Sequence, residues 1–354
     1  MKLFFAGFFA SVLLAVQMLG GIAHAGASIF IYHRFDEPRY SSTNIDTDVF
    51  AEQLAYLQEN QYRVLSLKEI VRRLESGEPL PEKCAALSVD DSFQSFKEKA
   101  MPLIRLYQYP VTLFVHSGSV GAPGYLTWKE LRELVLEGVD IGNHSSSHDH
   151  LIDAREGETR EQWSARVRQD IEKAQLQFEK HLKLTPELFA YPYGEYSLAL
   201  AELVQQMGFA AAFCQQSGAI HGGSDLMTLP RFPMGGPFAT LKGFREKVAM
   251  EPLLVSVERP ADPVLEGNNP PVLELLIEAG KAELDRMNCY VQGDNRCKVE
   301  AIKDRPGAYR VTAEKPLTGR RNKYTLTAPF RNGSGWHWYS HLWINSAEAM
   351  SFVK

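Results

Sequence analysis

Between Ser28 and about Met250, short apolar runs alternate with longer amphipathic stretches, and this alternation constrains the chain more than any other feature. Candidate strands occupy 29–32, 63–65, 85–89, 111–115, 139–142, 188–191, 209–213 and 228–232. Helix signals lie between them. Ser66 with Glu69 and Thr127 with Glu130 have the spacing of a capping box. Gly77, Gly138 and Gly208 stand where helices should stop. Seven or eight strand–helix units predict an α/β fold, a parallel (β/α) barrel, with a doubly wound open sheet as the alternative.

The texture changes near Glu251. Pro260, Pro263, Pro270 and Pro271, with Gly267-Asn268-Asn269, read as a linker. Short runs follow at 272–277, 282–284, 289–291, 298–302, 308–311, 323–327 and 336–344, separated by turn residues. That pattern predicts a small all-β sandwich. The chain therefore divides into a leader (1–25), a barrel (26–255) and a sandwich (260–354). Arg320-Arg321-Asn322-Lys323 reads as a solvated turn.

The leader has a charge at Lys2, no charge over 3–22, and Ala23-His24-Ala25 before Gly26, the form of a cleavable secretory signal peptide. No later run is apolar enough to span a bilayer, so the expectation is an exported protein, periplasmic or secreted, without stable membrane insertion. The net charge of −5 offers no basic field for nucleic acid. Export permits disulfides. Cys289 and Cys297 flank turn residues Gly293-Asp294-Asn295 and predict a stapled hairpin, whereas Cys84 and Cys214 sit in apolar runs and read as buried thiols.

Chemistry in a parallel barrel belongs to the C-terminal ends of its strands. Those ends carry His33, Asp90-Asp91, His116, His144 with His148, Pro192-Tyr193-Gly194 and Arg231. A tight loop or one helical turn puts His144 and His148 on one side, and Asp91 is the natural third ligand for a metal. Two imidazoles and a carboxylate leave coordination positions open, as a catalytic site requires. The adjacent Asp90 is then free to take a proton from water.

Ser88-Val-Asp90-Asp91-Ser92 resembles the first motif, T-F-D-D-G, of the polysaccharide deacetylases (carbohydrate esterase family 4, the NodB homology domain). His144-Ser-Ser-Ser-His148 matches the second, H-[ST]-x-x-H, and Ala190-Tyr-Pro192-Tyr193-Gly194 resembles the third, R-x-P-Y-G. The resemblance implies a distorted (β/α) barrel and metal-dependent removal of N-acetyl groups from an acetylated polysaccharide. Asp90 would be the base, Asp91, His144 and His148 the ligands of a divalent ion (zinc first, cobalt or nickel otherwise), and the Tyr193 N–H an oxyanion donor. Two motif residues are replaced: Ser92 stands for a glycine and Ala190 for an arginine. Arg231 is the substitute for that arginine. No leucine-x-histidine motif follows the barrel, and His33 is the substitute acid, since Tyr32-His33 resembles the opening of the exported poly-N-acetylglucosamine deacetylases. An O-acetyl esterase and a non-catalytic carbohydrate-binding protein are the alternatives. In Gly335–Trp343, Trp336, Trp338, Ser340 and Leu342 alternate with His337, Tyr339, His341 and Trp343; one face is expected in the core, the other on sugar rings.

Overall fold

The computed structural model describes residues 26–291, 293 and 295–349; the expected leader, 1–25, lies outside them. Six strands pair side by side, all parallel: β1 (Ala27–Tyr32), β2 (Cys84–Asp90), β3 (Val111–Val115), β4 (Asp140–Asn143), β5 (Leu188–Ala190) and β6 (Ala211–Phe213). β1 and β2 are buried along their whole length, which is why they read as unbroken apolar runs. The sheet curls until one segment touches both of its ends. Leu229 bridges in parallel to Phe213 of β6, and Phe232 of β7 (Phe232–Pro233) pairs in parallel with Phe30 of β1. The predicted strand at 228–232 is therefore mostly a seam, with regular pairing only from Phe232 onward.

Helices cover the outside: α1 (Thr47–Glu59), α2 (Leu67–Ser76), α3 (Met101–Tyr107), α4 (Trp128–Leu136), α5 (Arg160–Leu182), α6 (Leu198–Gln206) and α7 (Leu241–Val248). Thr127 and Glu130 form the full reciprocal box at the start of α4. At α2 only half of it forms. Ser66 Oγ accepts from the Glu69 N–H at 3.1 Å, but the Glu69 carboxylate turns to Arg72 and Arg73. An unforeseen box, Thr159 with Gln162, starts α5.

The C-terminal region holds two four-stranded sheets. One runs β8 (Leu254–Arg259), β9 (Val272–Glu278), β12 (Ala308–Ala313), β11 (Cys297–Ala301). The other runs from Glu251–Pro252 through β14 (Trp336–Ile344) and β13 (Arg321–Pro329) to β10 (Asn288–Tyr290). Leu273, Leu275, Val311, Tyr324, Leu326 and Trp343 pack between them. Residues 254–259, which straddle the expected boundary between barrel and sandwich, form β8, and 282–284 gives only a bridge from Ala282 to Phe330 and a short 3-10 turn. Cys289 and Cys297 are joined, but β10 and β11 belong to different sheets, so the bond ties sheet to sheet; Tyr290–Arg296 is the one bridge of the expected hairpin among the described residues. Cys84 and Cys214 are buried free thiols.

β14 serves two cores. Trp343 faces the sandwich, while Leu342 and Ile344 pack with Ile171, Phe189 and Leu200 of the barrel. Trp338 stands edge-on to Phe232 at 5.8 Å and donates from Nε1 to the Ser217 carbonyl at 3.1 Å. The face of Trp336, Trp338, Ser340 and Leu342 thus largely packs on the barrel; Trp336, 40% exposed, and the half-buried Trp338 are its open part.

Candidate active site

β2 delivers Asp90 and Asp91 to the barrel mouth. Asp91 and Ser92 both take left-handed backbone conformations, φ 74° and 60°. L-residues pay about 1–2 kcal/mol each there, so the turn is held from outside: the Leu126 N–H donates to the Ser92 carbonyl at 3.0 Å. The loop after β4 is likewise pinned. Asn143 Oδ1 accepts from the Ser145 N–H at 2.8 Å, Ser145 Oγ from the His148 N–H at 2.9 Å, and Asp170 of α5 from the Ser146 and Ser147 N–H groups at 3.1 and 2.9 Å. With Ser145 and His148 at φ 66° and 57°, the chain folds back without a helical turn.

The two imidazoles converge on one oxygen. His144 Nε2 lies 3.4 Å and His148 Nε2 3.1 Å from Asp91 Oδ1, and one ligand atom from each of the three residues falls within 4.8 Å of the others. His144 Nδ1 is 2.7 Å from the Ala190 carbonyl oxygen. A carbonyl only accepts, so Nδ1 carries the proton and the Nε2 lone pair points at the trio. Asp91 Oδ1 is buried and has no hydrogen-bond partner. An orphaned carboxylate oxygen between imidazole nitrogens fits a divalent cation.

Asp90 is held differently. Arg231, fully buried in the seam, grips it with two parallel bonds, Nη1 to Oδ1 at 2.7 Å and Nη2 to Oδ2 at 2.8 Å. Arg231 also donates to Ser88 Oγ and, from Nε, to the Cys214 carbonyl. Burial pushes the Asp90 carboxyl up, but the Arg231 guanidinium and His144 outweigh it and hold Asp90 below the usual range. His33, half-buried at the end of β1, is held below the ordinary histidine value by burial, which Asp91 and Asp90 only partly offset. Burial, with His148 and His144 nearby, takes His116 down to about 4.

Tyr193 lies in the loop after β5 at φ 60°, ψ 3°, with its ring edge-on to His148 at 4.7 Å. The next residue must be glycine: a Cβ on Gly194 would stand 2.5 Å from the Gln215 backbone nitrogen, at φ 69°.

Residues 77–212 match the family model described as polysaccharide deacetylase. The chain carries a polysaccharide deacetylase domain. The match spans Asp90, Asp91, His144, His148 and Tyr193; His33 and Arg231 lie outside it. Two relatives are named poly-beta-1,6-N-acetyl-D-glucosamine N-deacetylase. The Escherichia coli (strain K12) protein is 25% identical over 240 residues, covering 58% of this chain and 35% of its own length. The Staphylococcus aureus (strain MRSA252) protein is 23% identical over 208 residues, covering 57% and 71%. This chain thus spans about a third of the length of the first relative. Among solved structures, the Streptococcus pyogenes deacetylase PplD in complex with acetate shares the fold, with a TM-score of 0.57 and 21% identity over 64% of this chain and 99% of that one.

The deacetylase domain has a second set of rim contacts that the sequence reading missed. Glu195, just beyond the third motif, is buried and accepts from His150 Nδ1 at 2.8 Å, and the His150 ring stacks on Tyr193 at 4.1 Å. Arg320 clamps Glu195 at 2.8–3.0 Å and Asp153 at 2.8 Å, and Arg321 donates to the Tyr193 carbonyl. The supposed solvated turn at 320–323 therefore grips the barrel rim. No local pattern signals this, because both partners lie more than a hundred residues away. A cleft of about 490 Å³ opens between rim and sandwich, bordered by His33, Tyr193, Phe238, Tyr290, Arg321 and Trp338. His181, at the end of α5, stacks on Trp128 at 4.6 Å.

Proposed function

We propose that this protein is an exported, metal-dependent deacetylase that removes N-acetyl groups from a polysaccharide of the poly-β-1,6-N-acetyl-D-glucosamine type. One observation carries the reading: the orphaned Asp91 oxygen between His144 and His148, next to an Asp90 that an arginine keeps ionised. The substrate follows the names of the relatives, and export follows the leader at 1–25.

Asp91, His144 and His148 would hold the ion, zinc first and cobalt or nickel otherwise. When bound, it supplies Lewis acidity toward the acetyl carbonyl and toward water. Asp90 accepts the proton of the attacking water, and Arg231 fixes that carboxylate in orientation and charge. The Tyr193 N–H donates to the oxyanion as the carbonyl becomes tetrahedral. His33 gives its proton to the departing sugar amine. The C-terminal region completes the cleft along which the polymer lies.

Acetate release from a β-1,6-linked N-acetylglucosamine pentamer, alongside an O-acetylated glycan of equal length, tests the reading. Release from the pentamer by metal-replete protein is expected, and its absence overturns the assignment. Asp90→Asn should keep the ion and lose roughly 10²–10⁴ in rate; loss of the ion would mean that the two aspartates have exchanged roles. His33→Gln should flatten the alkaline limb of the pH–rate profile. Because burial lowers His33, that limb should begin below the ordinary histidine value of about 6.5. An unchanged limb would remove His33 as the acid.

A further inference from the structure

Three cations border the cleft: Arg321 and Lys323, which alternate to one face of β13, and Lys247 at the end of α7. The described residues lining it include no aspartate or glutamate. Arg321 is occupied by the Tyr193 carbonyl, Gln215 Oε1 and, at 3.7 Å, Glu195. Lys323 has no such partner. Burial, then Arg321 and Lys247, push it down to about 8, with no carboxylate opposing them. Lys247 is lowered by burial against the neighbouring Glu246. Like charges turned into one partly buried cleft repel, and an anion between them removes both the repulsion and the desolvation cost. Trp338, Tyr290 and Phe238 border the same space and present aromatic surface of the kind that packs on sugar rings.

We propose that Lys247 and Lys323 form a subsite for an anionic substituent, a carboxylate or a phosphate, on the glycan whose acetyl group lies at the barrel mouth. This rests on the glycan reading above and extends it to a preference within that class. The subsite also disfavours a freshly exposed sugar ammonium, so a deacetylated unit does not settle there.

The test is calorimetric binding to the full chain. The probes are a neutral β-1,6-linked N-acetylglucosamine pentamer, the pentamer with one carboxymethyl group, and the pentamer with one phosphate. The charged pentamers should bind about tenfold more tightly at low salt, a ratio expected of one or two partly screened charge pairs. The doubly substituted Lys247→Gln/Lys323→Gln protein should bring the ratio near one, and Lys247→Arg/Lys323→Arg should keep it. Equal affinities in the unsubstituted protein overturn the proposal, as does a glutamine variant that keeps the ratio or weakens all three probes alike. If the glutamine variant fails to fold, the unsubstituted and arginine proteins still decide. Acetate release from the neutral pentamer, measured on the same samples, separates the two readings. Release without a charge preference removes the subsite alone; a charge preference without release removes the catalytic reading alone.

Discussion

The chain contains two His-x-x-x-His pairs, and they have opposite fates. His144 and His148 meet over Asp91 because Ser145 and His148 take left-handed conformations that fold four residues into a tight loop. His337 and His341 lie on the extended β14, where four residues span about 13 Å. His337 Nδ1 faces the Pro252 carbonyl at 3.1 Å, and His341 packs against Trp343 at 4.5 Å. Burial alone pushes His341 down to about 3, so it stays neutral. Both Nε2 atoms of that pair are also buried without partners. Spacing and an orphaned nitrogen therefore do not gather a set of ligand atoms that could hold a metal; a backbone that converges on an anionic oxygen does.

The largest effect should separate the two pairs outright. His144→Ala is expected to lose the ion and acetate release together, whereas His341→Ala keeps one ion per chain by elemental analysis. Equal metal loss in both would erase the contrast. Next in size is Arg231→Met. Removing one partner from a buried pair should cost about 3–5 kcal/mol of stability in denaturant titration. In the intact protein Arg231 depresses Asp90, so the pair's stabilisation is present above the unfolded carboxylate value of about 3.9 and fades as pH falls through the lower folded value. In the variant only His144 and His33 still oppose burial, so Asp90 rises, and the acid limb of the rate profile moves to higher pH. An unmoved limb would show that Arg231 does not set that carboxylate. The smallest effect concerns the strained turn. Ser92→Gly should stabilise by about 1 kcal/mol, because glycine adopts φ 60° freely. A loss of stability would mean that the Ser92 hydroxyl, bonded to the Asp91 carbonyl, outweighs the strain.

The strand ends were legible in the sequence because fully buried parallel strands read as unbroken apolar runs, and the residue after each run marks the rim. That reasoning placed Asp91, His144 and His148 on one mouth, where their ligand atoms do gather within 4.8 Å. The seam was not legible. Leu229 to Pro233 pairs with two strands through one isolated bridge and one two-residue ladder, too short for a period-two pattern to show, and Arg231 showed only its position near a strand end. The Arg320–Glu195 clamp was hidden for another reason. A charged tetrapeptide looks solvated until a buried carboxylate is brought to it from 125 residues away. Alternation along β14 revealed two faces, but it says only that both are covered or not, never by what.

β14 has a consequence in the order of synthesis. It follows nearly every other part of both cores along the chain, yet Trp343 completes one and Leu342 with Ile344 completes the other. A chain emerging from a ribosome keeps that flank of its barrel uncovered until this strand arrives. Closure of both cores thus waits on residues that contribute no atom to the trio of Asp91, His144 and His148.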